Sequence, residues 1–118
     1  MLDIRERENR VSPRYHAVCR AHIDSTMKCD AVLKNLSITG CCLECNVNSE
    51  TLKTSQVYKI DIEPERDAHI SDFELEAECK WIRKKNEICE VGFQIVTFPK
   101  GKSFQNYVDY LAYFSNSD

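Results

Sequence analysis

No apolar run in this chain of 118 residues approaches the roughly 20 residues that a membrane span requires. The charged amino end lacks the apolar stretch of a secretion signal, so the expected localisation is cytoplasmic, without membrane insertion. No secretory context invites a disulfide framework, and the seven cysteines are an odd number; reduced thiols are expected. A zinc site also lacks its parts. Cys42 and Cys45 form a C-x-x-C with Cys41 beside them, but no second pair follows, and Cys19, Cys29, Cys79 and Cys89 are scattered singly. His16, His22 and His69 show no metal spacing. There is no nucleophile elbow, phosphate-binding glycine loop or catalytic dyad, and Glu74, Glu76 and Glu78 read as one solvated strand face that also blunts unwanted pairing. Neither a metal nor an enzyme activity is expected. A formal net charge of −3 disfavours a nucleic-acid polymer as partner, and a single-stranded nucleic-acid module would want stacking aromatics on a basic face. Without internal repeats or a long linker, the chain reads as a single domain over 1–118.

What the sequence does have is alternation with a period of two, the mark of strands buried on one face. Tyr15, Ala17, Cys19, Ala21 and Ile23 share a face. A second strand is expected over Ala31 to Leu36, a third on Cys41, Leu43, Cys45 and Val47, and a fourth on Tyr58, Ile60 and Ile62. Phe73, Leu75, Ala77, Cys79 and Trp81 form the clearest run; "RKKNE" is expected to turn the chain; and Cys89, Val91, Phe93 and Ile95 alternate again. Cys19, Cys41, Cys45, Cys79 and Cys89 thereby fall on core faces, where cysteine packs as a small hydrophobe. After Pro99 and Gly101 the period becomes helical: Phe104, Tyr107, Val108, Leu111 and Phe114 make one apolar face, with Ser103 as expected N-cap. Short antiparallel strands closed by a terminal helix read as a small β-barrel or a sandwich.

Charge is unevenly spread. The first twenty residues hold five of the seven arginines and no lysine, and sum to +2; residues 63–78 sum to −6, with seven acids against Arg66. An anion is steered to the first region and away from the second. Arginine offers a planar fork for paired hydrogen bonds to a phosphate or a guanine edge. In "RVSPR", Pro13 keeps Ser12 from being helical, so Arg10 and Arg14 belong to an irregular or extended arm. Between the second and third strands lies "NLSITG". Asn35 has the donors and acceptors to read a base edge, Ser37 adds a hydroxyl, and Gly40 permits an unusual backbone or a close approach. Taken alone, the segment reads as an ordinary turn.

Together, R-x-x-x-R, two strands and [DN]-x-S-x-x-G resemble the signature of the PilZ domain, a family that contains bacterial receptors for cyclic di-guanosine monophosphate (c-di-GMP). The resemblance covers nearly the whole chain, with Trp81 and "EVGFQI" as further features. It implies a six-stranded antiparallel β-barrel with one C-terminal α-helix, divided as a ligand-clamping arm over 1–14, a barrel over 15–98 and the helix over 99–118. It implies that Arg10 and Arg14 contact guanine and phosphate, that Asn35 and Ser37 read the base, and that Gly40 lets the backbone approach. Trp81 is placed either beside a guanine or in the barrel core. Asn9 stands where a basic residue favours a stacked ligand dimer, which leaves one or two ligands per chain as alternatives, with Arg7 able to reach in.

The function so implied is a cytosolic second-messenger receptor that needs no cofactor besides its ligand. It would signal to an effector protein, in the regulation of motility or biofilm, through ordering of the arginine arm, which has few apolar anchors of its own. The alternative is a PilZ-fold adaptor that no longer binds nucleotide and works by protein contacts alone.

Overall fold

The computed structural model describes residues 15–24, 29–46 and 52–116. Six strands follow one another: β1 (Tyr15–Asp24), β2 (Cys29–Leu36), β3 (Gly40–Asn46), β4 (Val57–Glu63), β5 (Phe73–Lys85) and β6 (Ile88–Thr97). Every neighbouring pair is antiparallel, and the sheet closes on itself in the order β1-β2-β3-β6-β5-β4. The alternation was compatible with a barrel or a sandwich, and the chain forms the barrel. Closure runs through β1 and β4, where Ala21 faces Ile62 and Ile23 faces Ile60.

The inward side chains are those the alternation selects. Ile23, Leu33, Leu36, Leu43, Ile60, Ile62, Leu75 and Val91 are fully buried, each worth roughly 1.5–3 kcal/mol of apolar transfer. Cys19, Cys41, Cys45, Cys79 and Cys89 belong to the same buried cluster. The helix, α1 (Ser103–Asn116), buries Phe104, Tyr107, Val108 and Leu111. Phe73 meets Phe104 at 5.7 Å and Tyr107 at 6.0 Å between ring centroids. Tyr107 donates a hydrogen bond to Glu65 Oε1 at 2.7 Å, which ties the helix to the segment entering a short 3-10 turn (Arg66–Ala68).

Three local expectations are corrected. "RKKNE" does not turn as a unit: β5 runs on to Lys85, and the reversal is made by Asn86 and Glu87, with Asn86 at φ 58°, a left-handed conformation that asparagine tolerates. The Asn106 N–H donates to Lys102 O at 2.8 Å, so Lys102 takes the cap position expected for Ser103, and Ser103 is already the first helical residue. Phe114 points to solvent instead of completing the buried face.

Candidate functional site

Strict alternation from Ala31 and Leu33 would turn Asn35 inward, and alternation from Phe73 to Cys79 would turn Trp81 inward. A β-bulge prevents each. β2 pairs Leu33 with Leu43 but Asn35 with Cys42, so Lys34 is an extra residue. β5 pairs Cys79 with Phe93 but Trp81 with Gly92, so Lys80 is an extra residue. One added residue reverses the parity of everything after it and re-aims the side chain. Asn35, Cys42, Gly92 and Trp81 therefore form one transverse row across β2, β3, β6 and β5 on the outside of the barrel. The next row, Leu36, Cys41, Phe93 and Cys79, is core. Trp81 is 37 % exposed, so its place is on the outer surface and the barrel-core alternative is overturned.

The middle of the row is built from small residues. A Cβ on Gly92 would run into Nε1, Cε2 and Cζ2 of Trp81, so the indole lies over the glycine. Cys42 comes next, buried although it faces outward, and then Asn35, half-buried and also paired with position 16 of β1. Two strand spacings separate Gly92 from Asn35, about 10 Å. That is room for a planar ring between an indole wall and an amide.

Cations surround the row. The Arg83 guanidinium carbon lies 5.2 Å from the Trp81 ring centroid, and its Nη1 is 3.6 Å from Glu90. Lys34 is 3.4 Å from Glu44, and Lys80 is 3.3 Å from Glu78. Surface pairs of this kind are worth only about 0–1 kcal/mol, so an anion on the row can draw these side chains toward itself. Beneath the row, Cys79 Sγ–H donates to the Trp81 carbonyl across the bulge at 4.0 Å. Burial, with smaller contributions from Cys89 and Glu78, pushes the Cys79 thiol up from its ordinary value, so it stays a thiol.

Ser37 is fully buried, and its hydroxyl faces its own turn. Oγ accepts from the N–H groups of Thr39 and Gly40, both at 3.1 Å, and reaches Gly40 O at 3.3 Å; the Ser37 N–H donates to Gly40 O at 2.9 Å. This is a side chain closing a turn from within. Gly40 is needed for a similar reason: a Cβ there would strike the Phe93 carbonyl oxygen. Its close approach is to the backbone of β6. Ser37 and Gly40 thus set the shape of the turn beside Asn35.

Arg7, Asn9, Arg10 and Arg14 lie outside the described residues. Tyr15, one peptide bond after Arg14, stands opposite Leu36, the neighbour of Ser37. A groove of about 530 Å³, lined in part by Arg20, His22, Asp30, Val32, Glu44 and Ile88, includes none of the four row residues. Arg20 stands there against Asp30, Glu44 and Glu63, and His22 Nδ1 lies 2.8 Å from Asp30 Oδ1, so the groove makes a poor anion site.

Sequence reasoning missed Cys42 and Arg83. A period-two pattern cannot register a bulge: Arg83 shares a face with Trp81 by simple alternation, and the bulge after Cys79 turns that face outward.

The family model described as PilZ domain matches residues 4–112. Among solved structures the chain is similar to the Bacillus subtilis inhibitor of motility (MotI/DgrA), with a TM-score of 0.78 and 17 % identity over 93 % of this chain and 53 % of that one. It is also similar to the PilZ domain of Escherichia coli YcgR with c-di-GMP, with a TM-score of 0.74 and 13 % identity over 92 % of this chain and 95 % of that one. YcgR in complex with c-di-GMP gives the same score and identity over 92 % of this chain and 48 % of that one. The chain thus spans about half the length of MotI and of the longer YcgR chain. No curated protein matches it.

Proposed function

From the premise that this chain belongs to the PilZ domain family, we propose that it is a non-catalytic c-di-GMP receptor whose ligand lies across the row Asn35, Cys42, Gly92 and Trp81. The observation that carries this reading is the pair of bulges that turn Asn35 and Trp81 outward on one row with two small residues between them. A guanine seated there meets a hydrogen-bonding amide at one side and an indole face at the other. Base–aromatic stacking is worth about 1–3 kcal/mol.

Arg10 and Arg14 supply the second half of the site. Their forks suit both things that c-di-GMP presents, guanine O6/N7 edges and phosphates. Tyr15, held opposite Leu36, fixes the point from which this arm starts. Ser37 and Gly40 act through the shape of the turn, and Asn35 reads the base. Ligand joins the arm to the barrel and so changes the surface offered to an effector protein. The YcgR domain with a similar fold carries c-di-GMP in its solved structure, which supports the choice of ligand.

Calorimetric titration tests the reading. Binding at one or two ligands per chain is expected, with preference over GMP, GTP and cyclic di-AMP, because adenine presents a donor where guanine presents O6. Absence of heat at high micromolar c-di-GMP would favour the adaptor that works by protein contacts alone.

A further inference from the structure

At the end of β5 away from Trp81 the outer surface changes character. Phe98, just past β6, is 64 % exposed, and Val96 is exposed as well. The Phe98 ring leans on Phe104, with centroids 6.4 Å apart. Beside it opens a recess of about 440 Å³ whose apolar wall is Phe73, Phe98 and Pro99 and whose charged wall is Asp72, Glu74 and Glu76. Among the described residues Lys100 is the one cation lining it. Asp61 stands directly opposite Glu74 on β4, a like-charge pairing that destabilises a sheet. Lys59 stands opposite Glu76, yet among the described residues none of Asp61, Asp72, Glu74 and Glu76 is held in an ion pair.

A large exposed aromatic beside uncompensated carboxylates is unfavourable on both counts in the isolated chain. Apolar area left in water forgoes roughly 25 cal/mol per Å², and the acids repel. Both are relieved by one kind of occupant. We infer that this surface docks a partner protein through a segment in which lysine or arginine alternates with a large apolar side chain. The apolar group covers Phe98 and Pro99, and the cations pair with Glu74, Glu76 and Asp72. An anionic membrane or a nucleic acid is repelled by the same carboxylates. Trp81 lies five residues along the strand from Glu76, about 17 Å, so the surface remains open when the row is occupied. The inference stands independently of c-di-GMP binding.

The test is a titration of the isotopically labelled full chain with a short synthetic peptide alternating lysine or arginine with leucine. A peptide with glutamate in place of the cations serves as control. Chemical-shift changes are expected at Glu74, Glu76, Thr97 and Phe98 with the cationic peptide alone. Phe98→Ser and Glu74→Lys should each weaken binding about tenfold while leaving c-di-GMP affinity as it was. Glu87→Lys, the same charge change at the β5–β6 turn, should leave peptide binding unaltered. An equal loss with Glu87→Lys, or parental peptide affinity in Phe98→Ser, would overturn the inference. So would a dimer of the chain that Phe98→Ser dissociates, because a second copy would then be the occupant.

Discussion

The indole of Trp81 occupies the space into which a Cβ of Gly92 would project, with Nε1, Cε2 and Cζ2 all in its way. Any side chain at position 92 must lift the ring from β6. Gly92→Ala is therefore expected to weaken c-di-GMP binding about as much as Trp81→Ala does, on the order of tenfold, the loss of one base stack. Trp81 is the single tryptophan, so its fluorescence reports the displacement directly. Parental emission and parental affinity in Gly92→Ala would remove the indole from the site.

Asn35 and Ser37 stand two residues apart and are expected to fail in different ways. Ser37→Ala removes the acceptor of the part-buried Thr39 N–H and the buried Gly40 N–H, which costs about 1–3 kcal/mol. Urea denaturation should register that loss, with ligand affinity falling as a consequence of the distorted turn. Asn35→Ala should lower affinity with a smaller change in the denaturation midpoint. If Ser37→Ala keeps full stability and loses only the ligand, its hydroxyl reads the base and the turn does not depend on it.

The barrel was legible because the core strands alternate cleanly: Ala17 to Ile23, Ile60 with Ile62, and Cys89 to Ile95 carry their burial in their spacing. The outer row was not. Asn35 and Trp81 each sit at a position whose parity assigns them to the core, and an inserted lysine reverses that parity without leaving a mark in the hydrophobic pattern. Bulges are set by pairing between strands, which a single strand's sequence does not record. Ser37 and Gly40 were visible as special residues, but their reasons are local packing: the turn's own N–H groups for one and the Phe93 carbonyl for the other. The extent of β5 was misjudged because Arg83, Lys84 and Lys85 are exposed strand residues that resemble a turn in composition.

Alkaline pH should loosen the junction between barrel and helix. Burial pushes the Cys19 thiol up from 9.0 to about 11, opposed by its hydrogen bond with Tyr107. Burial likewise raises the Tyr107 phenol, helped by its hydrogen bonds with Cys19 and Glu65. Both groups are neutral in the fold and acquire charge more readily in the unfolded chain. The stability that Cys19 confers is complete below pH 9 and is lost as pH rises through about 11, about 3 kcal/mol; that of Tyr107 begins to be lost only above its ordinary 10.0. Denaturation midpoints measured across that range should fall, and Cys19→Ala should flatten part of the slope. A midpoint independent of pH up to 11 would contradict the burial of both groups.

The arginine arm gives the most direct test of the proposed signalling. Arg14 is joined to Tyr15, and Tyr15 is held opposite Leu36, beside Asn35 and the Ser37 turn. Lysine keeps the charge but cannot make the paired planar contact. Arg10→Lys and Arg14→Lys are thus expected to weaken c-di-GMP nearly as much as the alanine changes, and parental affinity in either would make the site merely electrostatic. Ligand at one hundred times its dissociation constant stabilises a single-site protein by about 2.7 kcal/mol, enough to raise the melting temperature by several degrees. If part of that energy orders the arm, amide exchange from Arg7 to Val11 and at Ser12 and Arg14 slows on adding c-di-GMP. Pro13 has no amide hydrogen to report. Exchange that is unchanged while the melting temperature rises would mean that ligand binds without ordering the arm, and the effector would then have to read the barrel surface itself.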